Sequence, residues 1–256
     1  MRYVELVAKT GQVNSPPGSY DTIKNWIREG LITSESRVLE IGCNTGFISY
    51  NINQMTGAVV HGIDLSEFAV EKARSNCNGL EGLTFDIGDA GSIESEDGQY
   101  SHVIIGGHLP FAPGELRENH VEEALRVLKN NGCLLSTLFY WKTKPGRDFL
   151  IRLNSAFDLQ LTGKEDYDYW SGLFQRPDIV LEWEKCFEVF PADAKRRAAY
   201  LARFGGEDRL KWEPRVDLFA ENAKFVEFFV KIMRKVNPDD PFLQIPRGGI
   251  YTWKEV

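Results

Sequence analysis

Residues 38–49, with the sequence VLEIGCNTGFIS, join a short apolar run to a glycine-containing loop and the beginning of a helical pattern. The apolar run predicts a buried strand, and the apolar residues that recur from Ile48 onward at helical spacing predict a helix. Between them, Gly42 and Gly46 allow a sharp turn and a close approach by a ligand, because glycine has no Cβ. The first turn of a helix offers unpaired N–H groups to a polar ligand. The stretch therefore predicts the opening unit of a nucleotide-binding type of α/β fold.

Two further predicted strands end at or near acidic residues. Residues 59–64 form an apolar run that ends in Asp64, which lies 22 positions after Gly42. An acid about 20 residues after the glycine loop can hydrogen-bond the hydroxyls of a ribose, and a carboxylate can accept from both of them. Ser66 then predicts the N-cap of a helix that extends to about residue 75. The third strand, within residues 83–90, ends in a Gly-Asp-Ala sequence.

These segments resemble the motifs of the class I S-adenosylmethionine (SAM)-dependent methyltransferases. The first motif of that family is an acid and an apolar residue followed by Gly-Cys-Gly-Thr-Gly, and residues 40–46 have the sequence EIGCNTG. Asn44 replaces the middle glycine, and asparagine adopts left-handed backbone conformations more readily than most residues. The second and third motifs correspond to Asp64 and to Gly-Asp-Ala at residues 88–90. The resemblance extends over roughly residues 36–140.

The resemblance implies an α/β fold with SAM as the cofactor and S-adenosylhomocysteine as its product. It also implies that Asp64 holds the ribose hydroxyls, that Asp89 accepts from the adenine amino group and that the Ala90 N–H faces a ring nitrogen. Ligands in such sheets bind beyond the carboxyl ends of the strands, so the loops after the first four strands should surround one site. The predicted cofactor-binding residues are Glu40, Gly42, Cys43, Asn44, Gly46, Asp64, Leu65, Asp89, Ala90 and Gly106.

A dinucleotide site is disfavoured by the same loop. The nicotinamide and flavin fingerprint is Gly-x-Gly-x-x-Gly, whose second glycine lets the backbone reach a pyrophosphate. Asn44 stands at that second position, and Phe47 stands where the third glycine would be. SAM has no phosphate, so its loop does not need such a close approach.

The alternation of strands and helices predicts a Rossmann-like doubly wound sheet, mostly parallel, with about seven strands. A fourth strand ends at Gly106, a helix covers about residues 115–129, and a fifth strand covers residues 133–140. Such alternation places helices on both faces of a parallel sheet.

The C-terminal half is predicted to be mainly helical. One helix is expected at about residues 218–236, with late strands at about residues 186–190 and 250–254. We expect a single domain that consists of an N-terminal cap helix in residues 1–35, a SAM-binding core in residues 36–141, a helical substrate lid with a late strand in residues 142–248 and a closing strand in residues 249–256.

The loop after the fourth strand contains His108, which is the candidate base. Methyl transfer requires alignment of the reacting groups, and removal of a proton where the acceptor carries one. The ordinary histidine pKa of about 6.5 suits a base at neutral pH. The alternative role for His108 is to shape the loop. The other histidines are predicted to be structural: His61 within the second strand, His102 at the start of the fourth, and His120 on the surface side of the next helix.

Aromatic residues are the candidates for substrate binding. Tyr20 begins an N-terminal helix that ends at Gly30, and in the family such a helix often covers the SAM pocket. Residues 167–170, with the sequence YDYW, form a polar-interrupted cluster that predicts a pocket-lining loop. Core packing is the alternative for each aromatic side chain. The predicted substrate-binding residues are Tyr20, Tyr167, Tyr169 and Trp170.

Composition narrows the class of protein and its partners. The net charge of −7 disfavours nucleic acid as a partner, and the densest basic cluster, at residues 195–197, predicts the solvated face of a helix. Four dispersed cysteines predict no disulfides, no metal site and a reducing, cytoplasmic compartment. No apolar stretch is long enough for stable insertion across a membrane.

The sequence thus predicts an enzyme that moves a methyl group from SAM to an O or N atom of a small molecule. One alternative is an enzyme of the same fold with another transfer chemistry, such as aminopropyl or carboxymethyl transfer. A second is a non-catalytic SAM-binding or scaffold protein, and a third is an enzyme that modifies membrane lipids. The identity of the acceptor and the formation of a homodimer stay open.

Overall fold

A seven-stranded sheet forms the centre of the molecule. The computed structural model describes residues 2–12 and 15–239 of the 256-residue chain. The strand order is β3-β2-β1-β4-β5-β7-β6; the first five strands are parallel, and β7 runs antiparallel to both β5 and β6. The strands are β1 (Arg37–Ile41), β2 (Val59–Asp64), β3 (Leu83–Ile87), β4 (Tyr100–Ile105), β5 (Leu128–Trp141), β6 (Ile179–Glu188) and β7 (Val226–Lys235).

Helices cover both faces of the sheet, because successive side chains of each strand point to opposite faces. Val38 and Ile104 pack in one core cluster with α2 and α3, whereas Leu39 and Ile105 pack in another with α5. This arrangement confirms the predicted Rossmann-like fold. The helices are α1 (Tyr3–Lys9), α2 (Tyr20–Glu29), α3 (Phe47–Thr56), α4 (Glu67–Asn76), α5 (Arg117–Val127), α6 (Arg147–Phe157), α7 (Tyr167–Gly172), α8 (Ala194–Leu201) and α9 (Gly206–Asn222), with short 3₁₀ turns at Leu109–Phe111 and Gly114–Leu116.

The predicted helix at about residues 218–236 is wrong in its second half. Helix α9 ends at Asn222, and Val226–Lys235 form β7, which lies between β5 and β6. The apolar residues there fit helical spacing, but the segment is rich in β-branched and aromatic residues, which favour strands. Because it is buried on both faces, periodicity alone did not distinguish a helix from a strand.

The two late strands also differ from their predicted positions. The strand expected at about residues 186–190 is the end of β6, which begins earlier, at Ile179. The closing strand expected in residues 249–256 lies outside the described residues. The seventh described strand of the sheet is β7 instead, so residues 142–239 contribute two strands, where one was expected in residues 142–248.

The N-terminal segment forms a helix that the sequence did not predict. Leu6 and Val7 of α1 pack against Trp212 and Val216 of α9 and against Phe204. The same helix lies against α4 on the sheet side. Helix α1 therefore bridges the C-terminal helices and the core. None of the helices in the described part of the chain is both long and apolar enough to cross a membrane.

Candidate cofactor and substrate site

The loop after β1 has a backbone that requires small or permissive residues. Gly42 and Gly46 have φ values of 77° and 83°, and Asn44 has a φ of 46°, as expected for the asparagine in the motif. A Cβ on Gly42 would lie 2.8 Å from the Cβ of His108, and one on Gly46 would lie 2.9 Å from Cζ of Phe85. Both glycines are therefore required by conformation and by packing.

Asp64, at the end of β2, is fixed by the neighbouring loop. Its Oδ2 accepts from the Asn44 N–H and its Oδ1 accepts from the Ser66 N–H, both at 2.9 Å. The N–H groups of residues 42 and 43 in turn donate to the Ile63 carbonyl, at 2.8 and 3.0 Å. Burial raises the pKa of Asp64, and the two N–H donors oppose that rise. Each carboxylate oxygen keeps acceptor capacity for another donor.

Glu40, the fourth residue of β1, is almost completely buried. Its Oε2 accepts from both the N–H and the hydroxyl of Ser49, and the distance to the nitrogen is 2.9 Å. Burial raises the pKa of Glu40 to about 8, although the bonds from Ser49 act in the opposite direction. The Glu40 carboxyl is therefore mostly protonated at neutral pH.

The loops after β2 and β3 bring the other predicted cofactor residues to the same edge of the sheet. Asp64 is paired with Ile87 in the strand register, and the Gly88 N–H donates to the Asp64 carbonyl at 3.1 Å. Asp89 is exposed and accepts from the backbone N–H of the second residue after it at 2.8 Å, while Ala90 is buried. Leu65 is exposed beside them.

The loop after β4 begins with Gly106, whose φ is 145°. A Cβ there would lie 2.6 Å from the Thr137 carbonyl oxygen. The loop then places the ring of His108 beside that of His120, with the ring centroids 5.3 Å apart. Both ring nitrogens of His108 are buried and have no hydrogen-bond partner among the described residues.

The environment of His108 does not favour a role as a base. Burial, together with the neighbouring His120, lowers its pKa to about 3. The expectation that His120 lies on the surface side of α5 is wrong, because its side chain is buried against His108. His61 and His102 are bonded within the fold, to Tyr100 and to the Gly30 carbonyl respectively. The structure thus gives His108 a packing position against Gly42.

One large cavity, of about 860 Å³, opens above the glycine loop. Its lining includes Glu40, Gly42 and the backbone region of Gly107, but the lining does not include His108. The opposite walls come from α1, the 3₁₀ turn after β4, α8 and α9. The start of the predicted cofactor loop and a space for a second molecule therefore share one cavity.

Aromatic side chains form much of the wall opposite the loop. The Tyr3 ring makes an edge contact with Phe157 at 5.0 Å and with Trp212 at 6.1 Å, and it stacks at 6.4 Å on Phe111. Burial raises the pKa of the Tyr3 hydroxyl. These four side chains all line the cavity. They come from segments far apart in the sequence, and for that reason no local pattern predicted them.

The predicted substrate residues lie elsewhere. Tyr20 is half exposed and makes an edge contact with Phe47 at 5.5 Å. Residues 167–170 form part of a helix rather than a loop, because Asp166 caps it by accepting from the Tyr169 N–H at 2.9 Å. None of the four predicted aromatic residues lines this cavity, and their role in substrate binding stays a prediction.

The aromatic residues of α7 pack on the core instead. The Tyr167 hydroxyl donates to Glu184 at 2.9 Å, and the Tyr169 hydroxyl accepts from Arg117 at 2.8 Å. Trp170 is completely buried, with the Arg117 guanidinium 4.8 Å from its ring centre. The two tyrosine hydroxyls are thus bonded within the fold, whereas the Trp170 indole nitrogen is buried without a hydrogen-bond partner among the described residues.

A buried ion pair that the sequence did not predict joins the loop after β4 to the segment before α7. Arg117 donates to Glu165 at 3.3 Å and to the carbonyls of Leu109, Ala112 and Gln160 at 3.1, 3.2 and 2.7 Å. Both charged side chains are 1% exposed. Glu165 also lines the cavity, which makes this pair a support of the cavity wall.

The Glu165 carboxylate has further donors. It accepts from the N–H groups of Thr162 and Gly163, both at 2.8 Å, and from the Trp141 indole N–H at 3.4 Å. Burial raises its pKa, but the bonds from Thr162 and Gly163 outweigh burial and lower it overall. The carboxylate therefore stays ionised and fully bonded.

The cysteines and other potential metal ligands do not gather at this site. None of the four cysteines forms a disulfide; Cys43, Cys77 and Cys133 are buried and Cys186 is exposed. Within residues 2–12 and 15–239, no group of three or more His, Cys, Asp and Glu side chains is arranged to hold a metal ion. Cys43 packs behind the glycine loop with Phe85.

Known proteins with similar sequences are mostly methyltransferases or lack a described function. An uncharacterized protein of Haemophilus influenzae is 29% identical over 173 residues, which make up 66% of this chain and 68% of that protein. The demethylmenaquinone methyltransferase of Staphylococcus saprophyticus is 26% identical over 152 residues, which make up 57% of this chain and 64% of that protein.

The fold and a family profile agree with these similarities. The crystal structure of the MccD protein superposes with a TM-score of 0.76 at 24% identity, covering 87% of this chain and 100% of that one. A profile described as a methyltransferase domain matches residues 32–170, which contain β1 to β5 and reach into α7. The matched residues include the glycine loop and both strand-end acids, and the chain therefore belongs to the class I SAM-dependent methyltransferase family, whose cofactor is SAM.

Proposed function

We propose that this protein transfers a methyl group from SAM to an oxygen or nitrogen atom of a small molecule held in the cavity. One observation carries the proposal: Glu40 and Gly42 of the cofactor motif lie on the wall of the same cavity as the aromatic side chains of Tyr3, Phe111 and Trp212. Two molecules that must react can therefore meet in one enclosed space.

The residues at the edge of the sheet fit SAM. Asn44 Oδ1, in the glycine loop, is a buried polar atom without a partner among the described residues. Asp64 would accept from the ribose hydroxyls, while Asp89 and Ala90 would face the adenine, as the family motif implies. The remaining contacts would come from Glu40, Gly42, Cys43, Asn44, Gly46, Leu65 and Gly106.

The chain contributes mainly orientation and exclusion of water. Bound SAM supplies a methyl group on a positively charged sulfur, so the acceptor needs alignment more than strong activation. The aromatic wall of the cavity would orient the acceptor, and α1, α8 and α9 would act as a lid that keeps out water.

No free base lines the described part of the cavity. Its two carboxyl groups are Glu40, which is mostly protonated at neutral pH, and Glu165, which is bonded to Arg117. We therefore favour an acceptor whose attacking atom has a free lone pair or is already ionised, such as an amine, a carboxylate or an acidic hydroxyl. The proposal includes a reducing, cytoplasmic location, in keeping with four cysteines that form no disulfide, and no nucleic-acid partner, in keeping with the net charge of −7.

Calorimetric titration with SAM and with S-adenosylhomocysteine tests the cofactor. We expect micromolar binding of both by the folded protein, whose folding is checked by circular dichroism. Absence of binding to folded protein would overturn the proposal in favour of a scaffold role. Mass spectrometry of acceptors incubated with protein and SAM then tests the chemistry. A gain of one CH₂ supports methyl transfer, and a larger gain means another transfer chemistry.

A further inference from the structure

Three arginines from α8 and the turn after it line the cavity: Arg196, Arg197 and Arg203. The sequence predicted that residues 195–197 form the solvated face of a helix. Helix α8 does carry them, but two of its arginines lie on the cavity wall. A cluster of three positive charges at one place is notable because the protein as a whole carries a net charge of −7.

The three positive charges are only partly neutralised by the protein. Arg197 Nη1 pairs with Asp217 at 3.1 Å, while its Nε is buried without a hydrogen-bond partner among the described residues. The Arg196 pair with Asp193 is long, at 3.9 Å, and exposed. Arg203 forms no ion pair within the described part of the chain, and its guanidinium lies 5.8 Å from the ring centre of Tyr200.

The carboxyl groups on the cavity wall do not offset these charges. Glu165 is ionised, but its charge is balanced by Arg117. Glu40 is bonded to Ser49, and burial raises its pKa to about 8. At neutral pH the described cavity wall therefore carries a net positive charge at the end formed by α8.

The wall beside these arginines is apolar, since Trp212 lies 5.9 Å from Tyr200, the ring next to Arg203. Phe111, Phe157 and Trp212 supply aromatic surface there, and Val216 adds aliphatic surface. An aromatic wall binds flat or apolar groups, whereas arginine binds carboxylate, sulfonate or phosphate groups through paired N–H donors.

We propose that the methyl acceptor is an amphipathic anion, with an aromatic or other apolar body against the aromatic wall and an anionic group against Arg197 and Arg203. This inference rests on the proposed function, because it names the chemical class of the molecule that would accept the methyl group. A carboxylate and a phosphate share the chemistry that the arginines recognise.

Two fluorescent probes with the same ring system test the inference. 1-Anilinonaphthalene-8-sulfonate carries an anionic group, and N-phenyl-1-naphthylamine lacks it. Titrations are made with S-adenosylhomocysteine present, so that the cofactor end is occupied. We expect the parent to bind the sulfonate about tenfold more tightly than the neutral probe. Arg203→Gln and Arg197→Gln should each weaken binding of the sulfonate probe about tenfold and leave the affinity for the neutral probe unchanged.

Matched variants separate the inference from general effects. Arg152→Gln removes an exposed arginine that pairs with Glu221 and does not line the cavity, so both probes should bind it as they bind the parent. Arg203→Lys and Arg197→Lys keep the positive charge and should retain the preference for the sulfonate probe. They provide a second test if a glutamine variant does not fold. Displacement of the sulfonate by 1-naphthoate or by 1-naphthyl phosphate then identifies which anionic group is preferred.

Equal affinity of the parent for the two probes, or no change in both glutamine variants, would overturn the inference. Binding of S-adenosylhomocysteine by the same variants is measured separately by calorimetry. Retained cofactor binding with no preference for the anion would reject this acceptor class and leave the proposed methyl transfer standing. Failure of the unmodified protein to bind S-adenosylhomocysteine would reject the proposed function itself.

Discussion

The cofactor loops and the cavity wall are built from the sequence in different ways. Gly42, Asn44 and Asp64 lie close together in the chain, and each is set by the backbone of one loop or by the end of one strand. The wall instead depends on side chains from distant segments, such as Tyr3 against Trp212 and Arg117 against Glu165. Backbone requirements therefore leave a local signature in the sequence, whereas convergent side chains do not.

This difference has a consequence for mutation. A substitution in the cofactor loops should mainly change the affinity for the cofactor. A change at the convergent wall should affect the stability of several elements at once, because each wall residue joins segments that are otherwise separate.

The largest effect should come from the buried pair in the wall. Glu165→Gln leaves the Arg117 guanidinium buried without its full countercharge, so the free energy of unfolding should fall by about 3 kcal/mol. Urea denaturation measures it. Glu221→Gln breaks the exposed pair with Arg152 and should cost less than about 1 kcal/mol. Equal losses in the two variants would remove the distinction between wall and surface.

Gly42→Ala should have the next largest effect, on the cofactor loop. The added Cβ would meet His108 at 2.8 Å, and the φ of 77° strains any side chain, so the loop must move. Binding of S-adenosylhomocysteine should weaken about 100-fold, or by about 2.7 kcal/mol. Gly146→Ala is the control, since no atom lies within 4 Å of its added Cβ. Unchanged affinity of the Gly42 variant would show that the loop is less constrained than its geometry implies.

Asp64→Asn should weaken binding of S-adenosylhomocysteine by about tenfold. An amide has only one acceptor oxygen, whereas the carboxylate must accept from two backbone N–H groups as well as from the ligand. Calorimetry with S-adenosylhomocysteine measures the loss. Asp86→Asn changes an exposed acid on β3 that pairs with Arg74, and it should leave the affinity unchanged. If both variants bind as the parent does, the ribose assignment fails.

The buried Glu40 carboxyl should also give a pH dependence of stability, spread over several pH units. Glu40 keeps its proton up to about pH 8 in the folded protein, but it loses that proton near the ordinary carboxyl pKa in the unfolded chain. Between these limits the native state binds more protons, so its stability falls as the pH rises, by about 1 kcal/mol per pH unit.

Comparison of Glu40→Gln with the parent isolates this dependence. Glutamine can still accept from Ser49 but does not titrate, so the variant should lose this part of the slope in urea denaturation from about pH 5 to pH 8. Glu71→Gln, an exposed change on α4, should keep the parental slope. Parallel slopes for parent and Glu40→Gln would mean that the buried carboxyl is ionised.

The same contrast explains which predictions from the sequence are confirmed. The succession of strands and helices up to β5 and the left-handed Asn44 followed from the alternating pattern and the glycine loop. Helix α1 was missed because seven residues contain too few apolar repeats to show a helical period. Residues 226–235 were mistaken for a helix because a strand buried on both faces has no alternation.

Predictions about side-chain roles were less successful for a physical reason. An aromatic residue in the sequence does not reveal whether its polar end finds a partner in the fold. Tyr167 and Tyr169 find such partners in Glu184 and Arg117, so they pack on the core. Tyr3 instead lines the cavity, where its ring contacts Phe157 and Trp212.

The contact between Gly42 and His108 has an evolutionary consequence. Because a Cβ at position 42 would lie 2.8 Å from that of His108, the two positions cannot vary independently. Any homologue that keeps this loop geometry and a side chain at the second position must keep glycine at the first. A homologue with alanine at the first position should carry glycine at the second, or a rearranged loop after β4. The pair should therefore covary across the family, although the two residues lie on different loops.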